Sequence, residues 1–217
     1  MAELDWKEVR RYLGLGPEAA DAALEARLRD SGAALTAAAR PRSVWRRFPL
    51  ELGEGRVFCA GMDIASAHLR RHLEGCTGAV LLAATLGAET DRLLRRAAVT
   101  DMSRAVLLQA CAAALLEGYC DQCCQEIGAQ AAGEGLYLRP RFSPGYGDFS
   151  ISFQRPLLEA LEAPKRIGLA ATGAMMLTPT KSVTAVVGLS PDRRYVRPGG
   201  CGNCGSCPRT GCPYRLV

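Results

Sequence analysis

The sequence predicts an α+β fold in which helices pack on a mixed or antiparallel sheet. Three observations lead to this prediction: helical periodicity dominates the first 42 residues, a long apolar helix follows over 102–127, and strand-like runs concentrate late, with one continuous apolar strand earlier. The chain has 217 residues, enough for one sizeable core.

The N-terminal part is predicted to be helical. Apolar residues recur at helical spacing over 4–13, and Pro17 marks the start of a second helix over 18–39. The segments 43–50 and 56–59 are then expected to be extended, the first as a strand or a connector.

The next predicted helix is capped by Asp63 and runs to Leu73. It places His68 and His72, the two histidines of the chain, one turn apart on the same face. The pair either binds a metal or has a solvated or capping role.

The centre of the chain is predicted to form the core. Residues 78–87 are a continuous apolar run of strand length, typical of a strand buried on both faces, and a helix follows over 88–99. The helix 102–127 is apolar on nearly every side, so it is expected to be buried. Its cysteines either pack in the core or face a ligand: Cys111, Cys120, Cys123 and Cys124. Glu117 on this helix requires a partner, which Arg139 or Arg141 can supply.

The C-terminal half carries short elements. A helix is predicted over 157–161, and strands over 167–171 and 182–189. Between those strands, the small and apolar segment 171–179 either lines a binding crevice or packs in the core.

Charge and cysteine content narrow the class of protein. The formal net charge is +5, and most of it lies in residues 190–217, where five arginines face one aspartate. This argues against a broad nucleic-acid-binding face. The first ten residues have no apolar signal region, and the longest uncharged stretch of the main helix, 105–116, is shorter than the roughly 20 residues that span a bilayer. We expect a cytoplasmic protein without a membrane segment, with its ten cysteines reduced.

The segment 139–149 (RPRFSPGYGDF) is the strongest candidate for a functional loop. It holds two arginines, three aromatic residues, two prolines and two glycines. Proline fixes φ, and glycine allows the backbone to approach a ligand, so the loop is expected to be stiff. Arg141 offers a planar fork to a carboxylate, and Tyr146 adds a ring face and a hydroxyl. The alternative is a well-packed connection without a ligand.

The tail carries the clearest chemical motif. Four cysteines lie within twelve residues, separated by glycines: Cys201, Cys204, Cys207 and Cys212. This spacing is close to the bacterial ferredoxin pattern, with one more residue before the last cysteine. Four thiolates suit an iron-sulfur cluster or zinc, and unmetallated thiols are the other alternative.

Taken in order, several motifs resemble the activation domain of cobalamin-dependent methionine synthase, and most closely its short stand-alone bacterial form. The motifs are Ala83-Ala84-Thr85-Leu86-Gly87, Arg141-x-x-Pro144-Gly145-Tyr146, Ile167-Gly168, Met175-Met176, Pro179, Lys181-Ser182-Val183 and Asp192-x-x-Tyr195. Together they cover most of the chain between Asp63 and Tyr195.

The resemblance implies a helmet-like fold over residues 1–198, with 1–42 as its helical N-terminal part and 199–217 as a separate metal-binding tail. It implies binding of S-adenosylmethionine, whose methyl group passes to cobalamin after one-electron reduction of cob(II)alamin. The cobalamin would be carried by a partner synthase, and a flavodoxin or ferredoxin would donate the electron.

The resemblance also implies roles for single residues. Arg141 holds the ligand's methionine carboxylate, Tyr146 lies near the reactive centre as the catalytic candidate, and Tyr195 contacts the ligand; Pro144 and Gly145 complete the binding loop.

The chain departs from the family pattern at one turn. The family has Thr-Glu-Ser where this chain has Thr172-Gly173-Ala174, so an acidic side chain is missing there. A different class of function is a non-enzymatic metal-knot adaptor whose basic cysteine-rich tail binds protein or, with less support, nucleic acid.

Overall fold

The structure is a computed structural model that describes residues 3–16 and 21–193. Its elements in chain order are α1 (Trp6–Tyr12), α2 (Ala22–Ala38), β1 (Arg42–Leu52), β2 (Arg56–Cys59), β3 (Met62–Ala65), α3 (Ala67–His72), β4 (Gly78–Thr85), α4 (Ala88–Thr100), α5 (Met102–Ala132), β5 (Tyr137–Leu138), a 3-10 turn (Ile151–Phe153), α6 (Gln154–Ala160), α7 (Ala163–Ile167), β6 (Ala170–Ala171), β7 (Leu177–Thr178) and β8 (Ser182–Ser190).

The main sheet has six strands in the order β3-β2-β1-β4-β8-β5, and every pairing in it is antiparallel. Strands β6 and β7 form a separate small hairpin. The prediction of an α+β fold with helices on a mixed or antiparallel sheet is therefore confirmed, and the sheet is antiparallel.

Strand β4 lies between two helical layers. Val80 and Leu82 pack with Ile127 of α5 on one face, while Leu81 packs with Leu157 of α6 on the other. All these side chains are almost fully buried. The prediction of a strand buried on both faces is confirmed, and replacing a leucine of this kind by alanine typically costs about 2–5 kcal/mol.

Helix α5 is the long core helix that the sequence predicts, and it continues five residues further, to Ala132. Asp101 caps it by accepting a hydrogen bond from the backbone N–H of Arg104 at 3.0 Å. Helices α1, α2 and α4 pack around it. None of the helices in the described part of the chain is long and apolar enough to cross a membrane.

Two local predictions were wrong. Asp63 does not cap a helix: it lies in β3, paired opposite Phe58, and α3 is capped by Ser66, whose Oγ accepts from Leu69 N at 3.0 Å. The predicted strand 167–171 is mostly absent, because Ile167 ends α7 and only the last two residues form β6. In both places a neighbouring element extends over the predicted boundary.

In the N-terminal region, the observed elements are of the predicted types, but some of their boundaries differ from the predicted ones. Helix α2 is capped by Asp21, which accepts from Leu24 N at 2.7 Å; the predicted start at residue 18 lies outside the described residues. The segment predicted as a strand or connector is the full strand β1, and β2 is where it was predicted.

Candidate functional site

The segment 139–149 runs along the outer edge of β8. Phe142 forms two backbone hydrogen bonds with Val186 of β8, with N–O distances of 2.9 and 2.8 Å. Successive side chains of an extended segment point to opposite faces. Accordingly, Arg141 reaches the α5 side of the sheet, while the Phe142 ring joins the core cluster on the other side.

The guanidinium of Arg141 is held by two carboxylates of α5. Its Nη1 donates to Asp121 Oδ1 at 2.6 Å, and its Nη2 donates to Glu117 Oε2 at 2.7 Å. The sulfur of Cys124 accepts a longer contact from Nη1, at 3.7 Å. The prediction that Glu117 pairs with Arg139 or Arg141 is confirmed for Arg141, although the Glu117 side chain is about half exposed rather than buried.

One edge of this guanidinium is still available. Within the described ranges, no group accepts a hydrogen bond from Nε of Arg141, and Nη2 has one N–H beyond the one that Glu117 uses. The N–H of Nε and the N–H of Nη2 on the same side of the guanidinium together fit both oxygens of a carboxylate. The arginine is therefore positioned by α5 and can still bind a second anion.

Burial and neighbouring groups shift the pKa values of Arg141 and of the cysteines of α5. Burial alone would lower the pKa of Arg141, but the nearby thiols and the hydrogen bond and charge of Asp121 raise it above its ordinary value. Burial also raises the pKa of Cys120 and of Cys124. Cys111, nearer the start of the helix, is fully buried, and burial raises its pKa to about 11. These properties fit the core-packing interpretation of the helix cysteines.

Residues 143–149, which we call the Tyr146 loop, form a compact turn. Gly145 N donates to Phe149 O at 2.7 Å, and Phe149 N donates to Tyr146 O at 2.9 Å. Gly145 has a φ of 95°, which glycine adopts without strain. Pro144 and Phe149 are buried, so the turn is anchored on both sides of its tip.

Tyr146 stands at the tip with 62% of its surface exposed. Its ring meets the Phe142 ring edge to face, with centroids 6.2 Å apart. Because Arg141 and Phe142 point to opposite faces, a ligand that contacts both Arg141 and Tyr146 has to lie along the edge of the sheet. Four of the predicted residues, Arg141, Pro144, Gly145 and Tyr146, thus lie in one segment that is paired with β8 at Phe142.

The histidines dock this segment onto α3. His72 Nε2 donates to Pro140 O at 2.8 Å, and its ring lies 5.1 Å from that of Phe142. Burial lowers the pKa of His72. His68 lies beside Gly147, where an added Cβ would collide with the imidazole. In the described part of the chain, no group of three His, Cys, Asp or Glu side chains could hold a metal ion.

Sequence reasoning missed two acidic residues of the site. Asp121 lies four positions after Glu117 on the same face of α5, a spacing that was visible in the sequence. Asp148 accepts hydrogen bonds from Ser66 Oγ and from the backbone N–H groups of Ala67 and His68. No local pattern indicates the Asp148 contacts, because the partners lie about 80 residues away in the chain.

Other motif residues have visible packing or hydrogen-bonding roles. Ser182 Oγ donates to Pro179 O at 2.7 Å and lies 2.8 Å from Thr85 Oγ1, which joins the start of β8 to the end of β4. The segment 171–179, predicted to line a crevice or a core, forms mainly the turn and second strand of the β6–β7 hairpin, with Met176 64% exposed. The hairpin is tied to α6 by Arg155, whose Nη2 donates to Thr172 O at 3.3 Å.

A shallow groove of about 560 Å³ lies elsewhere, at the junction of α2, β1 and α5. Its α5 residues are Tyr119, Gln122 and Glu126. At 100° per residue these lie on the face of the helix opposite Glu117 and Asp121. The groove therefore does not belong to the Arg141 site.

The remaining predicted residues, Tyr195 and the cysteines at 201, 204, 207 and 212, lie outside the described residues. Their roles stay predictions.

No protein-family model matches this chain, and no curated protein matches it. Among solved structures, it is similar to the crystal structure of the MetH reactivation domain bound to AdoHcy, with a TM-score of 0.64 and 17% identity. The match covers 89% of this chain and 76% of that one. At this identity the likeness shows the fold, so the chain shares the α+β fold of the MetH reactivation domain.

Proposed function

We propose that this protein binds S-adenosylmethionine along the edge of β8 and serves as the reactivation partner of a separate cobalamin-dependent methionine synthase. The observation that carries the proposal is the guanidinium of Arg141, held by α5 through Nη1 and Nη2, in the same segment as the exposed Tyr146. The match to a domain whose crystal structure holds AdoHcy supports it.

The cluster on α5 suits the amino-acid end of the ligand. The free edge of Arg141 would bind the carboxylate through two parallel hydrogen bonds. Glu117 and Asp121 are about half exposed, so each can also attract the ligand's ammonium group. An arginine flanked by two carboxylates is thus complementary to a zwitterion.

The Tyr146 loop suits the sulfonium end. An exposed aromatic face attracts a cation, and Tyr146 presents such a face to solvent. Because the ring stands at the surface, a methyl group held beside it is accessible to a second protein. Tyr146 is the catalytic candidate in this arrangement, and Pro144 and Gly145 shape the turn that carries it.

In the proposed reaction, the cob(II)alamin carried by the partner first takes up one electron. The methyl group then moves to it from the sulfonium of S-adenosylmethionine. S-adenosylhomocysteine is the other product. This chain supplies positioning, and no general base is needed because no proton is transferred.

We further propose that residues 1–198 form the ligand-binding domain and that 199–217 is a separate tail. Cys201, Cys204, Cys207 and Cys212 would hold an iron-sulfur cluster or zinc. A cluster in the tail would pass on the electron from a flavodoxin or ferredoxin, whereas zinc would be structural. The tail's chemistry supports both, and metal content distinguishes them.

The test is a reactivation assay with cob(II)alamin-loaded synthase that lacks its own activation domain, a reductant and methyl-labelled S-adenosylmethionine. We expect label to reach cobalamin only when this protein is present, and more slowly with Tyr146→Ala, which removes the ring. Arg47→Ala is a matched control, because Arg47 also forms a close ion pair, with Glu134 at 2.5 Å, away from the loop. Equal labelling with and without the protein would show that the proposal is wrong.

A further inference from the structure

We propose that Asp148 is a positioning residue that fastens the Tyr146 loop to the first turn of α3 and thereby sets where Tyr146 stands. The inference rests on the proposed function for its ligand-binding consequence. The fastening itself is a statement about the ligand-free protein and can be tested alone.

The contacts of Asp148 join parts of the chain that are far apart in sequence. Its Oδ2 accepts from Ala67 N at 2.8 Å, its Oδ1 accepts from His68 N at 3.2 Å, and Ser66 Oγ donates to Oδ1. Ser66 at the same time accepts from Leu69 N at 3.0 Å as the helix cap. The capping hydroxyl therefore has its proton directed at the carboxylate, so α3 fixes the orientation of the Asp148 side chain.

The hydrogen bonds within the Tyr146 loop do not fix its position against the rest of the protein. The contacts between Gly145, Tyr146 and Phe149 define the shape of the turn, but they leave its orientation relative to the sheet undetermined. On the N-terminal side, the loop is tied to β8 by the pairing of Phe142 with Val186. On the C-terminal side, the buried ring of Phe149 anchors the end of the loop, and Asp148, two residues after Tyr146, adds the polar tie to α3.

A second observation shows that the approach of loop and helix is close. Gly147 has a φ of 56°, and a Cβ at this position would run into the ring of His68. The loop can lie against α3 only because this residue has no side chain. Gly147 and Asp148 are thus adjacent residues that serve the same contact, one by shape and one by hydrogen bonding.

The exposure of Asp148 indicates that stability is not its main role. Its side chain is 42% exposed, and partly exposed charged contacts of this kind add little to global stability. What the contacts change is the freedom of the Tyr146 loop. The Tyr146 ring contacts Phe142 only while the loop stays in place.

The experiment compares Asp148→Ala, Asp148→Asn and Ser66→Ala with the wild type by hydrogen–deuterium exchange without ligand. We expect the amides of Gly145 and Phe149 to exchange about tenfold faster in Asp148→Ala, with β4 and α5 unchanged. Asp148→Asn should be intermediate, because one carbonyl oxygen can still accept from the α3 backbone. Asp21→Asn is the matched control, since Asp21 caps α2 and does not contact the loop.

A second measurement asks whether Asp148 acts through Tyr146. S-adenosylmethionine affinity is measured in a double-mutant cycle of Asp148→Ala and Tyr146→Ala. We expect each single variant to bind about tenfold more weakly and the double variant to be little worse than either one. Additive losses would overturn the positioning role, and so would wild-type exchange rates in Asp148→Ala. If the wild type binds no S-adenosylmethionine, the proposed function fails, while the exchange comparison still decides whether Asp148 fastens the loop.

Discussion

Replacing Arg141 by alanine removes a guanidinium that lies between two carboxylates. The arginine side chain is only 20% exposed, but Glu117 and Asp121 are 45% and 54% exposed, so each ion pair has a value near that of a surface pair, about 0.5–1 kcal/mol. The variant also leaves two like charges four residues apart on α5, which costs about 0.2–0.5 kcal/mol. We therefore expect the free energy of unfolding to fall by about 1–2.5 kcal/mol, and the Tm by about 2–10 °C.

The effect of the same substitution on ligand binding is expected to be larger. Loss of a hydrogen-bonded charged group from the carboxylate site costs about 1.5–3 kcal/mol, or a tenfold to more than hundredfold weaker Kd. Arg141→Lys should recover only part of this, because an ammonium cannot present two parallel N–H groups. Calorimetric titration with S-adenosylmethionine gives the affinity, and urea unfolding gives the stability.

The control separates the two effects. Arg47→Ala also breaks a close ion pair, and its stability should fall while its affinity stays that of the wild type. If folded Arg141→Ala binds S-adenosylmethionine as tightly as the wild type, the reasoning about the free edge of the guanidinium is refuted.

Three further predictions concern other parts of the molecule. Burial lowers the pKa of His72 below its ordinary value of 6.5, so the unfolded chain binds the proton more readily than the folded protein does. The free energy of unfolding should therefore fall as pH is lowered from about 6.5 towards the folded-state pKa. His72→Gln keeps a donor for Pro140 and should weaken this pH dependence in urea unfolding at pH 7.5 and 5.5; an unchanged dependence would contradict the assignment. Gly173 has open space around its Cβ position and no strained φ, so Gly173→Glu and Gly173→Gln should both fold normally. In titration, the glutamate variant should bind the cationic ligand more tightly than the wild type, and the neutral glutamine variant should bind it no more tightly. Elemental analysis should find iron or zinc in the protein, and none after four tail cysteines are changed to serine: Cys201, Cys204, Cys207 and Cys212. Finding neither metal in the wild type would rule out an electron relay through the tail.

The sequence alone determined the parts of the fold that depend on local patterns. The continuous apolar run over 78–87 predicted a strand buried on both faces, because such a run leaves no side for water. The apolar pattern after Asp101 predicted the core helix, since a helix that is apolar on most of its sides has to pack against other elements. The proline and glycine pattern over 139–149 likewise indicated a shaped turn, and the order of motifs indicated the fold.

Tertiary structure decided which side chains meet. Asp63 has the chemistry of a helix cap, yet strand pairing with β2 places it opposite Phe58 and beside Arg56, so Ser66 caps the helix instead. Arg141 is paired with carboxylates 20 and 24 residues earlier only because the sheet brings its edge next to α5. Asp148 meets the first turn of α3 across about 80 residues for the same kind of reason. Periodicity and capping preference act over a few residues, whereas these contacts depend on how the strands are ordered in the sheet, which no short stretch of sequence encodes.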